Sequence, residues 1–255
     1  MTNDKFLVIL IAKQILMEKK QTSSTTTVLV VLLVVAAFGI GVLWQRLQVA
    51  EQKKVGGDTE GTVTQEAPNP AQPATADDIA PVTEKDHIRG NTDAPLTWIE
   101  YSDLQCPFCA SIHPNLVRLM DEYEGKIRWV YRHFPLDQIH SAARPSAEAA
   151  ECVASIGGED AFWRYVDLVF ERQSELTPEN VADFAGDIGV NKAQVQACIE
   201  AGTFKDRVNE DYNSGLAAGV QGTPNNMVLG PGGEVRILPG ALPYDQLKAT
   251  VEELL

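Results

Sequence analysis

Cys106-Pro107-Phe108-Cys109 sets two thiols three residues apart, between a β-rich run and a helical one. Pro95 to Tyr101 reads as a strand, and Ile112, Leu116, Leu119, Met120 and Tyr123 recur at helical spacing. The first cysteine therefore falls at the mouth of a helix, where backbone N–H groups and the helix dipole favour a thiolate. Cys106 is the expected nucleophile and Cys109, one turn in and more shielded, the expected resolving thiol. Such a pair closes a disulfide and exchanges it with other cysteines. A C-x-x-C also makes half of many zinc sites. The two remaining cysteines, Cys152 and Cys198, are isolated rather than in a second C-x-x-C, so the expectation is redox chemistry with no metal and no organic cofactor.

Other titratable residues carry less. His113 follows Cys109 by four residues and is expected to face solvent. His133 and His140 flank Phe134-Pro135-Leu136 and read as shaping a junction, not as members of a triad. Trp129, Phe162, Trp163 and Phe170 read as core.

The elements around the dithiol follow an α/β order. Leu96–Tyr101 reads as a strand, Pro107–Tyr123 as a helix and Ile127–Arg132 as a strand, a crossover that implies parallel pairing and a right-handed connection. A helical block follows, with helices expected over Ala142–Ile156, Asp160–Gln173, Asn191–Ala201 and Phe204–Ala218. A further helix is expected to open at Thr177-Pro178-Glu179, with Thr as cap and Pro in the first turn. Strands return at Met227–Leu229 and Val235–Leu238, and a helix closes the chain from about Tyr244 to Leu255.

Before this domain the composition changes. Val28 to Trp44 is almost continuously apolar and reaches roughly 26 Å as a helix, enough for a bilayer core. Lys13, Lys19 and Lys20 precede it, which favours a cytoplasmic N-terminus. Leu47-Gln48-Val49-Ala50 is a poor cleavage site, so the segment reads as an uncleaved signal-anchor. The expected organisation is a cytoplasmic segment over 1–27, a transmembrane anchor over 28–45, a flexible linker over 46–85 and a folded domain over 86–255. The linker is rich in Pro, Thr, Ala and Gly and without periodicity, with a reach on the order of 30–35 Å. The net charge of −14 argues against a nucleic-acid partner.

Several separate signatures in the folded domain resemble the DsbA family of thioredoxin-fold proteins. They are His87-Ile88-Arg89-Gly90-Asn91, Glu100-Tyr101-Ser102-Asp103, the Cys106–Cys109 motif, Arg132-His133-Phe134-Pro135-Leu136 and Gly222-Thr223-Pro224. The resemblance implies a thioredoxin fold, βαβ then ββα, with an α-helical domain inserted at about 138–218. It implies a cis-proline loop at Thr223-Pro224 facing the thiols, where the backbone of Thr223 pairs with an extended substrate. It implies that Glu100 approaches the thiols from below and relays the proton of Cys109. It also implies a structural disulfide between Cys152 and Cys198, worth roughly 4 kcal/mol in the chain-entropy model.

Two positions depart from the family pattern. The Pro107-Phe108 dipeptide replaces Pro-His, and Phe108 brings neither a hydrogen-bond donor nor a charge to the Cys106 thiolate, which implies a less oxidising pair. With Pro107 it is also a candidate contact for unfolded substrates, beside Thr223 and Pro224. Asn225-Asn226 stand where apolar strand residues are usual, which implies an altered strand edge. The expected activity is an extracytoplasmic thiol:disulfide oxidoreductase forming disulfides in exported proteins, with a quinone-linked membrane partner to reoxidise it. A disulfide isomerase or reductase, or a tethered binding module or chaperone, is the alternative.

Overall fold

The computed structural model describes residues 78–255. The expected cytoplasmic segment, transmembrane anchor and most of the linker lie outside the described residues. Among the described residues, no helix is long and apolar enough to cross a membrane.

A five-stranded sheet runs through the domain in the order β1-β3-β2-β4-β5. These are β1 (His87–Gly90), β2 (Leu96–Ser102), β3 (Ile127–His133), β4 (Asn225–Leu229) and β5 (Val235–Pro239). β2 and β3 pair in parallel, from Leu96 opposite Ile127 to Ser102 opposite His133, and the other pairs are antiparallel. All of β2 is buried, as a central strand covered on both faces must be, and that burial includes the polar Thr97, Glu100 and Ser102.

Alternation along the strands divides the core. Leu96, Trp98, Ile127, Trp129, Tyr131 and Val228 belong to one cluster. Ile99, Tyr101, Val130 and Met227 belong to the other. The first face is covered by α1 (Pro107–Glu122), α3 (Glu159–Glu171) and α7 (Tyr244–Leu254). The second is covered by α6 (Lys205–Ala217), which comes close to the sheet because Gly215 has no side chain. A Cβ there would lie 2.7 Å from the ring of Phe134 and 3.0 Å from that of Tyr101.

The helical insertion between β3 and β4 comprises α2 (Ala143–Gly157), α3, α4 (Val181–Asp187), α5 (Lys192–Glu200) and α6. Its disulfide joins Cys152 of α2 to Cys198 of α5, with Cα atoms 6.0 Å apart. The fold is thus the expected thioredoxin arrangement with an inserted helical domain.

Three local readings change. Thr177-Pro178-Glu179 do not open a helix; α4 starts at Val181. The Asn180 side chain accepts from the Thr177 N–H and donates to Glu175 O, which fixes these residues as a turn. Asn225 and Asn226 lie within β4, between β2 and β5, not at a sheet edge. Asn226 is fully buried and accepts a 2.8 Å hydrogen bond from Trp98 Nε1, so a polar residue fits there because a neighbouring indole needs an acceptor. Finally, the packed chain begins before residue 86. Ile79 is buried in the second cluster, and the Arg132 guanidinium donates to the carbonyls of Ala80 and Pro81, to Asp86 and to Tyr101 Oη.

Candidate active site: a dithiol at the start of α1

Cys106 is the N-cap of α1, with extended backbone, and Pro107 occupies the first turn. Proline suits that position because its missing N–H would have no intrahelical partner there. The Cys106 N–H closes a turn onto Asp103 O, and Cys106 O accepts the Ala110 N–H as an early helical bond. Both thiols are free. Cys109 is fully buried, Cys106 is 3% exposed and Phe108 between them is 63% exposed. The aromatic ring thus stands out at the surface beside a nearly covered sulfur.

Environment separates the two thiols. A hydrogen bond from Cys109 lowers the Cys106 pKa most; burial opposes it, and Thr223 and the N–H groups of Cys109 and Phe108 add to the lowering, which brings it to about 5. Burial pushes Cys109 well above the ordinary thiol range, and the nearby charges of Cys106 and Glu100 push it further. At neutral pH the pair therefore holds one thiolate, on Cys106, and one proton, on Cys109.

The peptide bond of Thr223-Pro224 is cis. It lies across from the dithiol, with Thr223 O 3.5 Å from Cys106 Sγ. Glu100, on β2, is fully buried and its pKa is raised to about 7, chiefly by burial. Ser102 and Trp129 hold it down and the charge on Cys106 lifts it. Neither carboxylate oxygen reaches a protein partner at hydrogen-bond geometry. Register places Glu100 on the α1 side of the sheet, level with Tyr131 and Asn226.

Of the histidines, His113 departs from expectation. His113 is buried, not solvent-facing: Nε2 lies 2.8 Å from Asp167 Oδ1 of α3, and the ring packs against Trp129 and Phe170. Burial lowers its pKa, against the pull of Asp167. His133 is buried beside Glu151 of α2, while His140 Nδ1–H donates to Asp103 Oδ2 at 2.7 Å. Trp129, Phe162, Trp163 and Phe170 are core residues.

Two residues beside the dithiol escaped the sequence reading. Asp103 appeared there only as the last letter of a signature, and nothing in the sequence singled out Gln173, whose amide reaches the Cys106 carbonyl. Among the described residues, no group of three or more His, Cys, Asp or Glu is arranged to hold a metal ion.

A protein-family model described as thioredoxin matches residues 82–253. The chain belongs to this thioredoxin family. Within the family its fold is DsbA-like. It is similar to DsbA2 of Pseudomonas aeruginosa, with 26% identity and a TM-score of 0.56 over 67% of this chain and 94% of that one. Oxidised BdbD of Bacillus subtilis is 21% identical, with a TM-score of 0.61 over 71% of this chain and 98% of that one, a likeness of fold. Among curated proteins, this thioredoxin-family chain is 33% identical over 147 residues to Na(+)/H(+) antiporter NhaA 3 of Salinispora tropica. It is 32% identical over 177 residues to Na(+)/H(+) antiporter NhaA of Herminiimonas arsenicoxydans. The matches cover 58% and 69% of this chain but only 22% and 27% of those relatives, so the chain spans about a quarter of their length.

Proposed function

We propose that this chain is a thiol:disulfide oxidoreductase that exchanges disulfides with cysteine-containing exported proteins through Cys106 and Cys109, in the net direction of disulfide formation. The observation that carries the reading is the split between the two thiols, one stabilised as a thiolate at a helix terminus and one buried and protonated. A stabilised Cys106 thiolate makes Cys106 a good leaving group and the disulfide a better oxidant.

In that direction a client thiolate attacks Cys106 Sγ of the Cys106–Cys109 disulfide. The S–S bond breaks and Cys109 leaves with the electron pair, taking a proton. The client's second thiolate then attacks the client sulfur of the mixed disulfide and expels Cys106 as a thiolate. The client dithiol loses two electrons and two protons; one proton rests on Cys109 and the other passes to solvent. Glu100, a buried carboxyl titrating near 7, is suited to hand Cys109 its proton. Exposed Phe108 with Pro107 offers the client an apolar contact, and the backbone of Thr223 beside Pro224 offers it an extended partner.

No organic cofactor enters this scheme, because the dithiol is itself the redox centre. The cycle needs a membrane partner to take the two electrons, for which a quinone-linked reoxidase is suited. An extracytoplasmic domain tethered by residues 28–45 is supported by the apolar run in the sequence and by relatives named as antiporters, which act across a bilayer. A reductase or isomerase stands second, on the identity of Phe108, which gives the Cys106 thiolate no side-chain donor.

The test is the reduction potential of the full chain at equilibrium with glutathione. A potential well above the roughly −270 mV of thioredoxin supports the oxidase direction, and one at or below it sinks that direction. Trapping of client proteins on Cys106 in Cys109→Ser tests the exchange itself.

A further inference from the structure

We propose that Gln173 and Asp103 are positioning residues that clamp the Cys106 turn to the helical insertion and thereby keep its sulfur aimed at the N–H groups of α1. The inference rests on the reading of Cys106 as the reactive thiolate and goes beyond it by naming what holds that thiolate in place.

The segment Asp103–Cys106 links β2 to α1 and belongs to neither, so its position is not set by sheet or helix bonds alone. Gln173 lies in a single 3-10 turn, Gln173–Glu175, just after α3 of the insertion. Its Nε2 donates to Leu104 O at 2.9 Å and to Cys106 O at 3.0 Å. One amide group, with two N–H donors in a fixed plane, thus bridges two carbonyls on either side of Gln105.

The second arm is Asp103, whose side chain is wholly buried. Oδ1 accepts the Gln105 N–H at 2.8 Å, inside the same turn. Oδ2 accepts the Leu136 N–H at 3.0 Å and His140 Nδ1–H at 2.7 Å, both from the chain leading into the insertion. Gln105 completes the seam by accepting the Ala142 N–H on its Oε1 at 2.6 Å. The turn is therefore fastened from the insertion side at every residue from Asp103 to Cys106. A side chain whose two donors end on the nucleophile's own carbonyl and on that of Leu104 has a geometric role as well as a stabilising one. If those bonds are lost, the turn can drift away from the Phe108 and Cys109 N–H groups, and the thiolate loses part of its stabilisation.

The experiment measures the pH dependence of Cys106 alkylation by iodoacetamide in the reduced full chain, with thermal melts on the same samples. Gln173→Met keeps the side-chain length and removes both donors. Its midpoint is expected about one pH unit above that of the unsubstituted chain, so that alkylation at pH 5 falls about fivefold. His140→Gln, which removes the ring donor to Asp103 and leaves the Leu136 N–H bond, is expected to move the midpoint the same way by a smaller step. Arg172→Ala removes exposed ion pairs to Glu175 and Asp187 next to Gln173 while leaving the Gln173 amide and its two carbonyl bonds in place, and is expected to leave the midpoint unchanged. An unchanged midpoint in both Gln173→Met and His140→Gln, or an equal shift in Arg172→Ala, overturns the clamp. An ordinary thiol midpoint in the unsubstituted chain would instead overturn the reading of Cys106, so the two failures are distinguishable.

Discussion

His87 Nδ1 lies 2.8 Å from Glu159 Oε2, and this contact ties β1 to the first turn of α3. On the other side of the ring, Nε2 lies 3.3 Å from Glu151 Oε2 of α2, and the ring stacks on Phe162. One buried imidazole thus stands between two carboxylates of the insertion.

That arrangement makes stability depend on pH in the alkaline range. Burial alone would lower the His87 pKa, but Glu151 and Glu159 overcome it and raise it from 6.5 to about 9. The folded state then holds a proton that the unfolded chain releases near 6.5. The stabilisation is fully present below about 6.5 and is lost as pH rises through about 9, on the order of 3 kcal/mol in all. Urea unfolding at pH 6 and pH 10 is expected to show this loss, and His87→Asn to show a smaller one. Equal pH dependence in the two proteins would refute the assignment.

Glu100 has a consequence of the same sign in a lower pH range. Its raised pKa means that the folded chain prefers the neutral carboxyl, so ionisation costs stability between about 4.5 and about 7 and the cost is complete above that. Glu100→Gln is therefore expected to match the parent near pH 4 and to exceed it by about 3 kcal/mol at pH 8. If Glu100 also supplies the Cys109 proton, the same substitution slows formation of the mixed disulfide from the oxidised pair at neutral pH. Stability differences that do not change between the two pH values would count against the buried carboxylate.

Arg89 is expected to resist replacement by lysine. Its guanidinium lies 4.4 Å from the Trp163 ring centroid, and NH2 donates to both Asp167 oxygens, at 2.8 and 2.7 Å. Asp167 also accepts from His113 of α1, so one carboxylate joins β1, α1 and α3. Lysine has no planar face to lay against the indole. Arg89→Lys should lower stability by about 1–2 kcal/mol, read from denaturant midpoints, and a loss below a few tenths would show the stack to be idle.

The Cys152–Cys198 disulfide closes a loop across 46 residues of the insertion. Replacing both cysteines with alanine is expected to cost about 4 kcal/mol by the chain-entropy estimate. Glutathione titration of the remaining pair should give the parent's midpoint, since the bridge joins two helices of the insertion, α2 and α5. A displaced midpoint would mean that this bridge takes part in the exchange.

How much of this was readable in the chain depends on how local the cause is. Cys106 and Cys109 declare themselves by spacing and by the strand and helix on either side. His113 was misjudged because four residues after Cys109 puts it on the buried side of α1, while its polarity argued for solvent. What decides its place is Asp167, 54 residues away. Asn226 was misjudged for the same kind of reason, since its polarity is satisfied by Trp98 across the β2–β4 pairing. Gln173 left no trace because its partners are backbone carbonyls, which have no letter in a sequence. The boundary at residue 79 was hidden by composition: Ala80 and Pro81 look like linker, and only the Arg132 guanidinium turns their carbonyls into anchors.

Arg132 also determines where mechanical load enters the domain. It grips Ala80, Pro81 and Asp86 from β3, on the face of the sheet that α6 covers. A pull transmitted along the chain into residue 78 is borne there first and passes into the parallel β2–β3 ladder. The Cys106 turn and α1 stand on the opposite face of the sheet, so the anchorage of the incoming chain and the sulfur are separated by the thickness of the sheet.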